Sequence, residues 1–317
     1  MEMPEKKGPV LERFQGCMLG LAVGDALGMP LEGMRASEIR KRFGRVRDFL
    51  DAPWRMLAAG QWTDDTKMAL CQARSIAARG IFDPEDTARE FLAWYESRDW
   101  RGIGGATYES MRRLQEGALA SESGMRGEMA AGNGAAMRIA PLGLLDCLDL
   151  ERLRADVEAS ARITHDNNEA VAGSLAVAYA VARAARGDLE PSTLIADAIS
   201  FIGPSKVAER LEMGQRFLDQ DMDAGEALAR LGTGGYVVET VASALYSFLR
   251  TPRDFEETLT LAVGGGLDAD TTGAIAGAIS GAYNGLYYIP ERWREGVEAA
   301  GEILELAERV FALVKAR

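Results

Sequence analysis

Histidine is all but missing from this 317-residue chain, and His165 is the single one. That excludes a zinc centre built on several imidazoles and any relay between two rings. Cysteine is scarce as well. Cys17, Cys71 and Cys147 lie far apart among apolar neighbours, which excludes a disulfide framework and indicates buried free thiols in a reducing, cytoplasmic setting. Positive charge is in deficit: 36 Lys and Arg stand against 48 Asp and Glu, for a formal net charge of −12. No general field therefore draws the chain to a nucleic-acid backbone. An anionic ligand would need local help from metal cations, a helix N-terminus or a few arginines.

Strand-like alternation is nearly lacking, and Val46–Leu50 is the only short segment where a strand is expected. There is no fixed-period repeat, low-complexity tract or Pro/Ser-rich linker, so a single domain over residues 1–317 is expected. The first sixteen residues carry Glu2, Glu5, Lys6, Lys7, Glu12 and Arg13 without an apolar stretch of leader length, so no secretory leader is expected. Thr271–Ile289 has no charged residue and about the length of a spanning helix. Its glycines, together with Thr271, Thr272, Ser280 and Asn284, instead predict a buried helix of a soluble core.

What the chain does have is helical periodicity. Apolar residues recur at three- and four-residue intervals over 66–79, 84–97, 105–118, 169–186, 237–250 and 290–314, which predicts an all-α protein. Gly16, Gly20, Gly24 and Gly28 recur every four residues, and so do Gly273, Gly277, Gly281 and Gly285. On a helix each set makes one bare ridge. A glycine there costs about 0.5–1 kcal/mol relative to Ala, so the ridges predict close approach of a second helix or of a ligand.

Two acid clusters stand at predicted helix starts: Trp62-Thr63-Asp64-Asp65-Thr66 and Asp268-Ala269-Asp270-Thr271. One acid in each would suffice to cap its helix, and capping is the plain explanation. The surplus acids are the other possibility to weigh, since two such clusters brought together would make an all-oxygen site for a hard divalent cation. Gly132-Asn133-Gly134-Ala135-Ala136-Met137-Arg138 is a Gly/Asn loop entering a helix to Leu145, either a simple turn or a source of backbone N–H groups for phosphate. His165 is a structural side chain or a ligand contact.

Taken together, and in this order, Gly16–Gly28 with Asp25 and Glu32, Trp62–Thr66, Gly132–Arg138, Thr164-His165, Gly232–Tyr236 and Gly266–Thr271 resemble the ADP-ribosylglycohydrolase family over nearly the whole chain. The resemblance implies a single compact multi-helix orthogonal bundle. It implies two divalent metal ions, Mg²⁺ or Mn²⁺, on Thr63, Asp64, Asp65, Asp268, Asp270 and Thr271. It further implies that Asn133, Gly134 and Met137 line an ADP-ribose groove, that His165 approaches the ligand, that Tyr236 lies towards adenine, and that Glu32 lies near the scissile ribose. The activity implied is hydrolysis of the N- or O-glycosidic bond between ADP-ribose and an acceptor. Asp65, Asp268 and Glu32 would handle protons. The partners expected are an ADP-ribosylated protein, with arginine preferred as acceptor, or a small ADP-ribosyl compound, acted on by a monomer. Two rivals remain open: a catalytically inactive ADP-ribose binder and a two-metal phosphohydrolase. The chain departs from the family pattern where Gly102 replaces a frequent acid, where Gly266-Leu-Asp-Ala-Asp-Thr271 closes the second acid motif, and where Asp166 follows Thr164-His165.

Overall fold

The computed structural model describes residues 8–317; residues 1–7, on which part of the leader reading rests, lie outside the described residues. The protein is all-α. Among the described residues, seventeen α-helices account for nearly all regular structure, and the only strands are the two-residue parallel pair Met125–Arg126 and His165–Asp166.

The centre is an antiparallel pair, helix Leu11–Gly28 against helix Ala269–Asn284. Their glycine ridges interlock. A Cβ added to Gly16, Gly20 or Gly24 would sit 2.3, 2.3 or 2.0 Å from the carbonyl oxygen of Gly281, Gly277 or Gly273 respectively. The reverse holds for Gly273, Gly277 and Gly281 against Gly24, Gly20 and Gly16. Each bare Cα thus faces a carbonyl, and weak Cα–H···O bonds of about 0.5–1 kcal/mol offset the glycines' helix penalty. Gly285 does not belong to the ridge: its φ of 90° ends the second helix, and a Cβ there would meet Glu12 only at an ordinary 3.7 Å. Leu11–Leu31 is long and apolar enough to cross a membrane by length and composition, yet 94% of that window is buried inside the fold. Helices Asn168–Arg186, Val237–Arg250, Phe255–Gly264 and Ala300–Lys315 pack around the pair.

The structure corrects other expectations as well. Val46–Leu50 is not a strand. It has no partner strand, and the Arg47 carbonyl is satisfied by side chains instead, accepting from Trp293 Nε1 at 3.0 Å and Arg292 Nη2 at 3.2 Å. The 290–314 stretch is two helices, Glu291–Gly296 and Ala300–Lys315, parted at Ala299 with φ 58°. The break turns Glu298 towards the first acid motif: its N–H donates to the Gly60 carbonyl at 2.9 Å, and its own carbonyl accepts from Trp62 Nε1 at 2.9 Å. The segment just before Thr63 is thereby pinned to the C-terminal part of the chain.

Candidate functional site

The first acid motif begins helix Asp64–Arg79, but neither of its two acids caps that helix. Asp25, fully buried on the opening glycine helix, does so across space. Its carboxylate accepts from the Thr63 and Thr66 N–H groups at 3.0 Å and from their hydroxyls at 2.8 and 2.6 Å. With the Thr63 and Thr66 N–H groups satisfied from another helix, neither Asp64 nor Asp65 is needed to cap them. Asp65 Oδ1 is buried with no hydrogen-bond partner. The plain capping explanation therefore fails for this cluster, and Asp25 is a site residue that the sequence reading quoted without assigning a role.

The second motif begins helix Ala269–Asn284, where Asp268 occupies the cap position without a side-chain cap bond. Its Oδ2 accepts instead from Asn133 Nδ2 at 2.6 Å, and Gly235 lies so close that a Cβ there would be 3.3 Å from that oxygen. Asn133 also donates to Thr240 Oγ1 at 2.9 Å, so this side chain is a strut for Asp268. One glycine helix holds the first acid set through Asp25 and the other carries the second set at its start, so the two sets meet. Asp64, Asp65, Asp268, Asp270, Thr271 and Glu32 line a single cleft of about 800 Å³. Thr63 is not on its wall; it stands behind Asp65, with its hydroxyl on Asp25.

Burial dominates the electrostatics, and carboxylate crowding adds to it. Burial first, and then neighbouring carboxylates, hold Asp64, Asp65 and Asp270 well above the ordinary carboxylate range. Glu32 is ion-paired with Arg55, a residue no sequence signal marked. Gly102 has φ 127°, and a Cβ there would lie 2.8 Å from Asp64 Oδ1. An acid at that position would be strained and would displace Asp64. Arg101 beside it is turned away, ion-paired with Glu298 over the Trp62 ring.

The rest of the cleft is formed by Gly134, Met137 and His165, among others. His165 lies under the Gly132–Gly134 loop, where a Cβ on Gly134 would come 2.8 Å from its Cε1. Burial, with Arg138 adding, pushes its pKa down to about 3, so the ring is neutral, and its Nδ1 is 2.8 Å from Thr164 Oγ1. Arg138 is wholly buried and bonds the Gly134 and Ser160 carbonyls, fixing the loop from below. Residues 134–138 are turn rather than helix, and the helix begins at Ala140. Tyr236 is half-buried at the start of helix Val237–Arg250 and is not on the cleft wall.

Residues 7–317 match the ADP-ribosylglycohydrolase family. The chain belongs to that family. Among relatives, the ADP-ribosyl-[dinitrogen reductase] glycohydrolase of Rhodospirillum rubrum is 33% identical over 97% of both chains. ADP-ribosylarginine hydrolase Tri1 of Pseudomonas putida is 30% identical over 95% of this chain and 78% of its own. A solved structure described as an ADP-ribosylglycohydrolase-related protein complex superposes with TM-score 0.76 at 34% identity, covering 96% of this chain and 98% of that one. Membership in the ADP-ribosylglycohydrolases supports hydrolysis of an ADP-ribose linkage.

Proposed function

We propose that the chain is a metal-dependent hydrolase that cleaves the glycosidic bond between ADP-ribose and an acceptor, with ADP-ribosyl-arginine on protein as the preferred substrate. The observation that carries it is the convergence of Asp64, Asp65, Asp268 and Asp270 on one cleft wall, with Asp65 Oδ1 left unpartnered. Like-charged buried groups persist together only when cations or protons neutralise them. An all-oxygen donor set suits Mg²⁺ or Mn²⁺. Among the described residues no group of three His, Cys, Asp or Glu side chains is already arranged to hold a metal ion.

Asp64, Asp65, Asp268, Asp270, Thr271 and, through Asp65, Thr63 would hold two such ions. Bound divalent cations supply charge neutralisation and Lewis-acid polarisation at the ribose hydroxyls. The chain's own groups do the rest. Asp65, with its free Oδ1, is placed to accept a proton from the attacking water, and Asp268, oriented by Asn133, is placed to accept or return one. Charge building on the ribose ring is offset by these carboxylates, as in other glycoside hydrolases. Glu32, held by Arg55, lies at the rim as an outer proton-handling group. Neutral His165 and the Gly134 backbone present an uncharged, hydrogen-bonding wall to the nucleotide. The arginine preference is supported by the name of the Tri1 relative, and three buried free cysteines support a reducing, cytoplasmic location.

The test is incubation with ADP-ribosyl-arginine, ADP-ribosyl-serine and small ADP-ribosyl compounds, with Mg²⁺, Mn²⁺ or chelator, reading free ADP-ribose by mass spectrometry. Release that needs the cation, fastest from arginine, is expected. Binding of ADP-ribose without release from any linkage would overturn the hydrolase reading in favour of a binder, and release of phosphate instead would favour a phosphohydrolase.

A further inference from the structure

A second cavity of about 570 Å³ opens between helices Ala36–Phe43, Ala224–Leu231 and Phe255–Gly264, and it shares no lining residue with the acidic cleft. Its walls are of two kinds. Ile39, Val46, Leu228, Leu261 and Leu267 make an apolar slot, widened by Gly44 and Gly264, whose missing side chains would meet nothing within 4 Å. Arg35, Arg40 and Arg45 stand around it. Arg45 is ion-paired with Glu257. The side chains of Arg35 and Arg40 make no ion pair or hydrogen bond among the described residues. Both residues are exposed at the cavity, and neither guanidinium has a carboxylate of the described residues within ion-pair distance, so both are free to take an anion there. The acid close to Arg40 is Asp223, one oxygen of which caps its own helix by accepting from the Glu226 N–H at 3.0 Å.

Thr260 adds a second, independent sign. It lines the cavity at 5% exposure, and its buried hydroxyl has no hydrogen-bond partner. A buried hydroxyl without a partner carries a desolvation penalty that a bound polar group would relieve. The walls are also preformed. Leu267 exchanges backbone bonds with Met34 and Gly33 at 2.7 Å, and Thr233 Oγ1 donates to the Gly265 carbonyl at 3.2 Å.

We propose that this cavity is a second ligand site, for a small organic phosphate the size of a nucleoside monophosphate: a flat apolar ring in the aliphatic slot and a phosphate held by Arg35 and Arg40. Its volume lies within the roughly 300–1,000 Å³ of ordinary small-molecule pockets, and guanidiniums suit phosphate through two parallel N–H bonds. An aliphatic tail alone would leave both arginines and Thr260 unused. Inorganic phosphate alone would leave the slot empty.

The experiment is calorimetric titration of the metal-free chain with AMP, adenosine and inorganic phosphate, with an AMP-soaked crystal to place the ligand. AMP should bind tightest, with its ring between Ile39, Leu228 and Leu261 and its phosphate at Arg35 and Arg40. The double variant Arg35→Ala/Arg40→Ala, whose circular dichroism and ADP-ribosyl hydrolysis should match wild type, should weaken AMP binding by about tenfold or more. Unchanged AMP affinity in that variant, AMP density only in the acidic cleft, no AMP binding at all, or phosphate binding as tightly as AMP would each overturn the proposal.

Discussion

Gly24→Ala adds one methyl group at the most crowded point of the glycine pair, and the structure sets the sign of its effect. The new Cβ would stand 2.0 Å from the Gly273 carbonyl oxygen and 2.3 Å from its carbon, both backbone atoms of a buried helix that cannot rotate away. An ordinary contact needs well over an ångström more, so the helices must part or bend. Alanine regains about 1 kcal/mol of helix propensity, while overpacking costs about 1–3 kcal/mol and more where backbone must move. The net should be a loss of about 2 kcal/mol, or a few degrees in Tm for a chain of this size. Gly214→Ala is the control. It sits inside helix Lys206–Asp219, where a Cβ would meet Leu231 at an ordinary 3.9 Å, so the same substitution should stabilise by about 0.5–1 kcal/mol. Because Gly24 precedes Asp25 and Gly273 follows Asp270 by one turn, Gly24→Ala should also lower turnover. Urea and thermal melts of both variants decide it. A Gly24→Ala midpoint at or above wild type would refute the interlocked ridges.

Asp25→Ala removes the cap of helix Asp64–Arg79 and leaves two buried N–H groups without an acceptor, so a loss of about 2 kcal/mol or more and a steep fall in turnover are expected in urea melts and product assays. Gly102→Asp, though it restores an acid frequent in the family, should weaken rather than improve metal binding by calorimetry, because its Cβ would press on Asp64. In metal-free protein, Asp64, Asp65 and Asp270 keep their protons to higher pH folded than unfolded, so their stabilising effect is present at low pH and is lost as pH rises through their raised values. His165 works oppositely, with a folded pKa of about 3, but its effect is complete above the ordinary histidine range. As pH rises above the ordinary carboxylate range through these raised values, the chelated protein should therefore lose more thermal stability than Asp65→Asn does, and Mn²⁺ should restore more of it the higher the pH. Equal slopes for wild type and Asp65→Asn would contradict the crowded-carboxylate account.

How much of this was legible in advance depended on whether the signal was local. The helices at 66–79, 84–97 and 237–250 were readable because three- and four-residue periodicity is written into adjacent residues, and the four-residue glycine spacing announced a close contact before its partner was known. Val46–Leu50 misled because its residues suit a strand, while strand formation needs a neighbour that this fold does not provide there. The Ala299 break went unseen since Val297, Glu298 and Ala299 carry no glycine or proline, and its cause is a set of distant bonds to Gly60, Trp62 and Arg101. The site divides the same way. The acids Asp64, Asp65, Asp268 and Asp270 were visible as surplus at helix starts. Asp25 as a cap from another helix, Arg55 on Glu32, and Asn133 as the strut of Asp268 as well as a residue of the cleft wall are pairings across 23 to 135 positions, which no spacing rule reaches. The glycine pair connects the two levels. A motif that needs only backbone contact fixes two helices at one separation, and with Asp25 holding helix Asp64–Arg79 to one of them, the acid clusters that begin at Asp64 and Asp268 reach a common cleft. The ridges are therefore as much a part of the candidate site as the carboxylates they position, and a methyl group at Gly24 should be felt at Asp65 and Asp270 without touching either.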